Sequence, residues 1–352
     1  MPRVLHIVTT AGFAGVERYV CNVAAATAGR GWDVAVVGGD AARMHAALDG
    51  TARYEPGATL LESLRSVGRL GRFDICHAHM TAAETVAILG RRVHRAPIVS
   101  TRHFAARRGA SVLGRVGAPW ISARITREIA IGEFVAAHIE LRPAAVLVTG
   151  VPVSRCLWQP ANRTVLVLQR LAPEKDTTTA LRAWEASGLA SEGWSMSIFG
   201  DGSERAMLER WVASHGVAGV SFGGWTDDVP AELSRAGMLL ATAVAEPLGL
   251  SVLDAMAAGV PVVAAAAGGH LETAGLIEGA PMFPPGDHAA AARAMRSLRS
   301  DPVRRALSQD GRRLVTERFT IDRYTDLLLL EYAAARVSRP AGRSRAVAEQ
   351  AA

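Results

Sequence analysis

The sequence is poor in lysine, cysteine and aromatic residues, and each shortage excludes a class of protein. Lys175 is the only lysine among 39 basic residues. The three cysteines, at positions 21, 76 and 156, are too few and too scattered for a disulfide framework or a zinc cluster, which favours a reduced, cytoplasmic setting. With 49% hydrophobic and 20% charged residues, the 352-residue chain can bury real cores, so global disorder is excluded and two domains are expected.

Long apolar runs are also missing. No stretch of about 18 residues is free of charged and turn residues, so no transmembrane helix is predicted. The apolar run VLHIV at residues 4–8 is too short for the core of a signal peptide and is interpreted as a first strand. Any membrane contact is therefore expected to be peripheral, on the inner face of the membrane.

Acidic residues are absent from one part of the chain. Between Arg91 and Arg127 there are nine arginines and no acid, and residues 1–158 hold 19 arginines against 11 acids. Residues 91–127, here called the arginine-rich stretch, form either a solvated basic face or a surface for anionic lipid, phosphate or another polyanion. Nucleic acid is not an expected partner, because stacking aromatics and a known binding motif are missing. A basic face also argues against a polycationic partner such as an aminoglycoside.

Short apolar segments alternate with alanine-rich helical patterns along the chain. Helices are predicted at 16–29, 82–93, 204–215, 250–258 and 320–335. Strands are predicted at 4–8, 33–39, 73–79, 97–103, 128–132 and 145–150, then, after a linker at 151–163, in the segments 164–171, 195–203, 220–225, 238–244 and 260–269. Apolar strands separated by helices indicate βαβ units and parallel sheets covered on both faces.

The predicted fold class is therefore α/β, with two Rossmann-like doubly wound domains facing a central cleft. Residues 1–158 form the first domain and residues 159–320 the second. A C-terminal helix at 321–335 is expected to pack back toward the first domain. Residues 336–352, rich in arginine, serine, alanine and proline, are expected to form a disordered tail.

Arg170 and Lys175 follow a predicted strand in the segment LQRLAPEKD, across a turn that contains a proline. Such a turn lets a planar guanidinium and a compact ammonium converge on one diphosphate. The alternative is a pair of solvated loop cations. The scarcity of lysine in this sequence favours the first interpretation.

Glu246 and Asp254 bracket the segment EPLGLSVLD at a spacing of eight residues. A proline and a glycine place Glu246 in a loop, and Asp254 falls about one turn into the helix predicted at 250–258. The free amides at residues 249–251 would bind phosphate oxygens, because a helix N-terminus attracts anions. The alternatives are a capping acid for Glu246 and a charge on the helix face for Asp254.

Histidines end two predicted strands of the first domain. His77 and His79 lie on one face of the third strand, so a metal site is conceivable, but no nearby carboxylate or cysteine completes it and no metal is predicted. His103 ends the next strand, where ligands bind in parallel sheets. The turn IFGDGSE lacks the GxGxxG spacing of dinucleotide enzymes, and no GxSxG motif occurs.

Together these segments resemble the motifs of the retaining glycosyltransferases of family 4, which have the GT-B fold. QRLAPEKD is similar to GRLxxEK, FGDGSERAMLE to GDGxxxxLE, and FGGWTDDV to GWxDDV. EPLGLSVLDAMAAGVPVVA resembles the family signature ExFGLxxLEAMAxGxPVVA, and AGGHLETAG with PPGD resembles GGxxE with PPGD. The likeness is dense over 164–290 and looser before that, in AGVER, HAH and STRH.

The resemblance implies a retaining, metal-independent transfer of a hexosyl group from a nucleotide-diphosphate sugar to a hydroxyl on a glycan, a lipid-linked acceptor or a natural product. A UDP-sugar is the expected donor, and no cofactor is implied. The resemblance implies catalytic roles for His103, Arg170, Lys175 and Glu246. It implies donor contacts for Gly15, Gly200, Gly202, Gly249, Leu250, Ser251 and Asp254.

In this resemblance Arg170 and Lys175 neutralise the diphosphate, Glu246 holds sugar hydroxyls, and His103 contacts the sugar near the reaction centre. Among the residues that depart from the family pattern, Gln169 stands where the family has glycine and Asp254 where it has glutamate. These departures leave open a catalytically inactive nucleotide-sugar-binding partner in a biosynthetic complex. A GT-B relative that uses phosphate or a non-sugar acceptor is a further alternative.

Overall fold

The computed structural model describes residues 1–109, 112–154 and 158–337, and only the backbone of residues 112–116. The chain forms two compact units. The first consists of residues 1–131, 135–147 and the chain from Tyr324 onward, and the second of residues 132–134 and 148–323. Each unit is built around one parallel sheet, so the predicted α/β class with two doubly wound domains is confirmed.

The first unit contains a seven-stranded parallel sheet. Its strands are β1 (Arg3–Val8), β2 (Asp33–Gly38), β3 (Arg53–Glu55), β4 (Ile75–His79), β5 (Ile98–Arg102), β6 (Arg127–Ala130) and β7 (Ala145–Val146). Its helices are α1 (Gly15–Ala28), α2 (Ala41–Leu48), α3 (Leu60–Leu70), α4 (Met80–Leu89), α5 (Arg91–His94), α6 (Val112–Ser122) and α7 (Glu133–His138). The strand order is β3-β2-β1-β4-β5-β6-β7, so the order reverses between β1 and β4.

The second unit contains a six-stranded parallel sheet. Its strands are β8 (Thr164–Leu168), β9 (Ser195–Phe199), β10 (Val220–Gly224), β11 (Met238–Ala241), β12 (Val262–Ala265) and β13 (Met282–Phe283). Its helices are α8 (Thr177–Ser187), α9 (Arg205–His215), α10 (Val229–Arg235), α11 (Leu250–Ala258), α12 (His288–Ser297) and α13 (Asp301–Arg318). A last helix, α14 (Ile321–Val337), belongs to the first unit from Tyr324 onward.

Strand order in the second sheet is β10-β9-β8-β11-β12-β13, so it reverses between β8 and β11. In doubly wound sheets a ligand binds beyond the carboxyl ends of the strands at such a reversal. An apolar core lies on the side of the sheet that α8 and α12 cover, and it includes the fully buried Trp184 and Met295.

The two faces of the first sheet differ in chemistry. One face packs Leu5, Ile7, Cys76, Ala78 and Ile98 against apolar residues of α3 and α4. The alternate residues of the same strands point the other way and include histidines, with His6 of β1 directly beside His77 of β4. Three buried tyrosines lie against that second face: Tyr19 of α1, and Tyr324 and Tyr332 of α14.

Each predicted strand overlaps an observed one, namely β1, β2 and β4–β12, and α11 has the predicted bounds. The helix predicted at 82–93 is divided into α4 and α5 at Gly90. The sequence patterns did not predict the short strands β3 and β13, nor the helices α2, α3, α6, α7, α8, α10, α12 and α13. Among the helices of the described residues, none is both long enough and apolar enough to cross a membrane.

Candidate functional site

The carboxyl ends of β8 and β11, where the strand order reverses, carry an ion pair. Lys175 ends a short 3-10 helix (Pro173–Lys175) after β8, and Glu246 lies in the loop after β11. Lys175 Nζ is 2.6 Å from Glu246 Oε2, and the two side chains are 19% and 13% exposed. The structure thus joins two of the predicted site residues, which are 71 positions apart in the sequence.

A buried histidine adds an acceptor to this pair. Burial raises the pKa of the Glu246 carboxyl, but Lys175 and the backbone N–H of Leu248 lower it, and the net pKa lies below its ordinary value. Burial lowers the pKa of His270, which is therefore neutral. His270 Nδ1 lies 3.0 Å from the carbonyl oxygen of Ala265 and must carry the proton, because a carbonyl only accepts. Its Nε2 is left as an acceptor.

Gln169 holds the backbone of Lys175 in place. Its Nε2 donates to the carbonyl oxygen of Lys175 at 3.0 Å, and lies 3.1 Å from Thr177 Oγ1 and 3.2 Å from Thr242 Oγ1. Thr242 Oγ1 donates to the same Lys175 carbonyl at 2.8 Å. Two side chains from the ends of β8 and β11 therefore fix the turn that presents the ammonium.

Gly200 and Gly202 follow β9 and pack on the backbone of the loop after β8. A Cβ at Gly200 would lie 1.9 Å from the carbonyl oxygen of Gln169, and one at Gly202 would lie 2.2 Å from that of Leu171. The backbone N–H of Leu171 donates a hydrogen bond to the carbonyl oxygen of Asp201 at 2.9 Å, which joins the two loops. These two positions, which were predicted to contact a donor, thus require glycine for a structural reason: the two loops approach too closely for a side chain.

Arg170 is placed on the same turn but does not join the ion pair. Its guanidinium pairs with Glu174, and the two side chains are 62% and 46% exposed. Among the described residues, no hydrogen bond or ion pair links it to Lys175 or Glu246. The expected convergence of the two cations is therefore not formed in this structure, although Arg170 is open to an anion from solvent.

Gly249 lies three residues after Glu246 and is the N-cap of α11. Its φ of +90° lies in the left-handed region, and a Cβ there would lie 3.0 Å from His270 Cδ2, so both backbone and packing call for glycine. Leu250 and Ser251 follow as the first helical residues, whose N–H groups have no intrahelical acceptor. Asp254 is half-buried and lies one turn into α11.

Gly15 and His103, the predicted site residues of the first unit, follow β1 and β5. Gly15 is exposed and is the first residue of α1, where Glu17 accepts a hydrogen bond from Ala14 N at 2.8 Å. His103 is 7% exposed, and its Nε2 lies 3.2 Å from Nδ1 of His79. Burial lowers the pKa of His103 to about 3, so the ring is neutral at pH 7.

Three further histidines lie beneath His103 and could be read as metal ligands. One nitrogen each of His6, His77 and His79 lies within 4.8 Å of the others. Five of the six ring nitrogens are already hydrogen-bonded, those of His77 to Tyr332 and Thr101 at 2.7 Å each. A metal would have to replace these bonds, which favours a hydrogen-bonded cluster. The expectation of no metal stays a prediction.

The arginine-rich stretch is partly buried. Arg102 and Arg108 are 6% and 3% exposed. Arg102 Nη1 lies 2.7 Å from Glu128 Oε1, and Arg108 Nη2 lies 2.5 Å from Glu84 Oε1. Both arginines also pair with Glu140, whose pKa is raised by burial but lowered further by Arg102, to a net value of about 2. All three carboxylates lie outside the stretch in sequence.

A third arginine of the stretch is also paired, because Arg127 Nε lies 2.5 Å from Glu331 Oε2 of α14. Arg92, Arg95 and Arg107 are exposed. The basic surface that the sequence indicates is therefore smaller than the count of arginines suggests.

Sequence reasoning did not identify Gln169, Thr242 or His270 as parts of the site. Gln169 was noted only as a departure from a family pattern. A signal for His270 was present, because a histidine in a glycine turn directly after an apolar strand lies at the ligand-binding edge of a parallel sheet. Thr242 follows β11 directly and carries the same positional signal.

Two family models match the chain in succession. The model described as Glycosyltransferase Family 4 matches residues 13–155, and the model described as Glycosyl transferases group 1 matches residues 157–314. The second match contains the Lys175–Glu246 pair, Gln169, His270 and all of α11. The first contains His103 and the histidines beneath it on β4.

Curated relatives cover part of the chain. The 2-deoxystreptamine glucosyltransferase of Streptomyces kanamyceticus is 32% identical over 180 residues, which are 50% of this chain and 46% of that protein. The 2-deoxystreptamine N-acetyl-D-glucosaminyltransferase of Streptomyces fradiae is 33% identical over 157 residues, which are 43% of this chain and 37% of that protein. The chain thus spans less than half the length of these relatives.

Solved structures match nearly the whole chain. Anabaena Alr3699/HepE in complex with UDP-glucose has a TM-score of 0.76 and 18% identity, with 94% of this chain and 99% of that chain covered. A glycosyltransferase from Rickettsia africae has a TM-score of 0.77 and 16% identity, with 96% and 99% covered. At such identities the likeness shows the fold alone, and it is the GT-B fold that the motifs predicted.

Proposed function

The chain belongs to the group 1 glycosyltransferases of glycosyltransferase family 4, and on that premise we propose that it is a retaining, metal-independent hexosyltransferase. It takes a hexosyl group from a nucleotide-diphosphate sugar, with a UDP-sugar as the expected donor and no cofactor, and transfers it to a hydroxyl group. The observation that carries the proposal is the Lys175–Glu246 pair at the carboxyl ends of β8 and β11, next to the N-terminus of α11.

This corner of the second unit suits a diphosphate. Lys175 supplies a compact ammonium on a turn held by Gln169 and Thr242. Arg170 is exposed on the same turn and exchanges Glu174 for a phosphate oxygen when the donor binds. The free amides of Leu250 and Ser251 add two donors at a helix N-terminus.

Acceptor atoms beside the ammonium suit the hydroxyl groups of a sugar. The Glu246 carboxylate and the Nε2 of His270 can both accept hydrogen bonds. The carboxylate contacts the backbone N–H of Leu248, and the His270 ring lies beside Gly249. A sugar attached to a diphosphate on Lys175 would therefore meet acceptors from the loops after β11 and β12. Asp254, one turn into α11, is assigned to the nucleoside end of the donor, with a shorter reach than glutamate.

Transfer follows from positioning and charge stabilisation. The bond from the anomeric carbon to the leaving phosphate oxygen breaks, and the bond to the acceptor oxygen forms on the same face of the sugar. The acceptor proton passes to the leaving phosphate oxygen. Lys175, Arg170 and the α11 amides stabilise the negative charge that develops on the diphosphate, which lowers the barrier without reorganisation.

An aminocyclitol is a specific candidate for the acceptor. Two curated relatives are named for 2-deoxystreptamine, a cationic acceptor. A basic face would oppose such an acceptor, but Arg102, Arg108 and Arg127 are neutralised by internal carboxylates. This removes part of the electrostatic objection. A glycan or lipid-linked hydroxyl remains the alternative, and we assign peripheral contact with anionic membrane to the exposed arginines of the arginine-rich stretch.

The direct test is a screen of UDP-, GDP-, ADP- and dTDP-sugars for hydrolysis, followed by transfer assays with 2-deoxystreptamine and with lipid-linked sugars. We expect one donor class to be turned over in the presence of a chelator, with a product whose anomeric proton has the configuration of the donor. Inverted product, or loss of activity on chelation, would contradict the proposal. Tight binding of a nucleotide sugar with no turnover would show the inactive binding partner instead.

A further inference from the structure

Three buried imidazoles form a hydrogen-bonded chain that ends at His103. His6 Nδ1 lies 3.1 Å from His79 Nε2, and His79 Nδ1 lies 3.2 Å from His103 Nε2. The rings are held from the side by Tyr19, whose ring is edge-on to His79 and to His103 at centroid distances of 5.6 Å and 4.8 Å. We call His6, His79 and His103 the imidazole chain.

The protons of this chain can be arranged in only two ways. A neutral imidazole has one N–H donor and one acceptor nitrogen, and each hydrogen bond needs one of each. Burial keeps all three rings neutral at pH 7. If His6 donates from Nδ1, His79 donates from Nδ1 and His103 carries its proton on Nδ1. If the order is reversed, His103 carries its proton on Nε2 and His6 carries its own on Nε2.

The far end of the chain decides between the two arrangements. His6 Nε2 is buried and has no hydrogen-bond partner among the described residues. In the reversed order it would be an N–H group without an acceptor, a strong donor whose hydrogen bond to water is lost on burial. In the first order it is only an unused lone pair, and orphaned buried N–H groups are the rarer of the two in proteins.

We propose that His6 and His79 are positioning residues that hold His103 in the Nδ1–H tautomer. His103 Nδ1 makes no hydrogen bond to a described residue, and the residue is 7% exposed at the end of β5. The first unit therefore presents a neutral N–H donor at the carboxyl edge of its sheet. The inference rests on the proposed function for the identity of the oxygen that accepts this hydrogen bond, namely one from the sugar or the phosphate of the donor.

This tautomer has a chemical consequence. With its Nδ1 protonated and its Nε2 occupied by His79, His103 has no free lone pair and cannot take the acceptor proton. It can only donate to an oxygen. The proton of the attacking hydroxyl must then go elsewhere, which agrees with its transfer to the leaving phosphate.

The test is the nitrogen NMR spectrum of the full chain labelled with 15N-histidine at pH 7.5 without donor, with resonances assigned by single-histidine variants. We expect the wild type to show a protonated Nδ1 and an unprotonated Nε2 for His103. His6→Asp places an acceptor opposite His79 Nε2 and should reverse both tautomers. His6→Phe removes the partner without adding an acceptor and should leave His103 unchanged. His77→Gln is the matched control, because His77 is hydrogen-bonded to Tyr332 and Thr101, which lie outside the imidazole chain.

A His103 protonated on Nε2 in the wild type would overturn the proposal, as would an unchanged tautomer in a folded His6→Asp variant. If that variant does not fold, His79→Phe serves instead, since removing the donor to His103 Nε2 should give a mixture of tautomers, and an unchanged Nδ1–H form would count against the proposal. Where the tautomer reverses, kcat/KM for donor hydrolysis should fall about tenfold, the loss of one hydrogen bond to the substrate. Because the spectrum needs no turnover, an inactive protein with the expected tautomer would refute the proposed function and leave this inference standing.

Discussion

The side chain of Gln169 holds the turn that carries Lys175. The family pattern has glycine at this position, and here an amide bridges the carbonyl of Lys175 and the hydroxyls of Thr177 and Thr242. The departure that left an inactive protein open on sequence grounds therefore supports the placement of Lys175. Comparison with the family pattern shows only that the residue differs. The hydrogen bonds show that Gln169 holds the backbone of Lys175 in place.

Replacing Gln169 with alanine should weaken catalysis while the fold persists. The variant loses the amide donor to the Lys175 carbonyl, so the ammonium becomes mobile relative to Glu246. We expect kcat/KM for donor hydrolysis to fall about tenfold, because the hydrogen bond that positions the Lys175 ammonium is lost. Steady-state kinetics with the donor found in the screen measures this.

Thr242→Val is the matched variant, because it removes the second donor to the same carbonyl. It should give a loss of similar size, and the double variant should lose less than the product of the two, since both act on one group. Wild-type kinetics in both single variants would show that the turn needs neither.

The residue types of the site could be read from the sequence, but their pairing could not. The motifs gave Arg170, Lys175 and Glu246, and the structure joins only Lys175 to Glu246. A long cationic side chain has many rotamers and can reach several partners. Its actual partner therefore depends on the tertiary position of the loop after β11. His270 was missed for the same reason, since its proximity to Glu246 depends on how the loops after β11 and β12 fold.

At the scale of elements, the second face of the first sheet is unusual because strands and helices meet through polar side chains. His6, His77 and His79 lie on β1 and β4, and Tyr324 and Tyr332 come from α14. His77 Nδ1 lies 2.7 Å from the Tyr332 hydroxyl. The strand pattern predicted that His77 and His79 share a face. The tyrosine partner of His77, Tyr332, lies 255 residues later in the chain and could not be inferred from local spacing.

This buried face should make stability depend on pH. Burial lowers the pKa of His6 and His103 to about 3, from an ordinary value of 6.5. Between these values the unfolded chain binds protons that the folded chain excludes. The stability is therefore complete above pH 6.5 and is lost progressively as the pH falls toward 3, by about 2 kcal/mol per histidine at pH 5.

Thermal unfolding at pH 7.5, 6.5 and 5.0 measures this effect, and we expect the midpoint to fall across the last interval. Glu140, whose net pKa is lowered to about 2 despite its burial, stays ionised in the fold over this range. His215→Asn is the control variant, because it changes an exposed histidine of α9 that lies outside this buried face. A midpoint that is constant from pH 7.5 to 5.0 would contradict the account of the buried imidazoles.

At the scale of the whole molecule, charge counted along the sequence differs from charge on the surface. The arginine-rich stretch contains no acid, yet Arg102 and Arg108 are buried against Glu84, Glu128 and Glu140. A sequence window cannot include carboxylates that reach the stretch through the fold. The overall α/β class was predictable because it depends on the alternation of apolar segments, which is a local property.

The arginines of the arginine-rich stretch that are exposed are predicted to contact anionic membrane. The triple variant Arg92→Gln, Arg95→Gln and Arg107→Gln removes three exposed charges from the arginine-rich stretch. We expect the wild type to sediment with vesicles containing phosphatidylserine at low salt and to be released at high salt, because contacts of this kind are screened. The triple variant should bind several-fold more weakly.

The matched control removes the same charge from the second unit, by changing the exposed Arg210, Arg293 and Arg318 to glutamine. This variant should sediment like the wild type. Equal binding of the two triple variants would show that the net charge of the chain, rather than the arginine-rich stretch, is responsible. No binding of the wild type at low salt would exclude the membrane contact.

The central claim is that the Lys175 ammonium, held against Glu246, stabilises the leaving diphosphate, and donor hydrolysis by Lys175 variants tests it most directly. Lys175→Ala should lower kcat/KM by about 100-fold or more, as loss of a preorganised charge-stabilising group does, while circular dichroism stays that of the wild type. Lys175→Arg keeps the charge but replaces a compact ammonium with a planar guanidinium, and it should also be strongly impaired. Arg182→Ala, at an exposed cation of α8, should retain wild-type turnover. Near-normal hydrolysis by a folded Lys175→Ala variant would contradict the account.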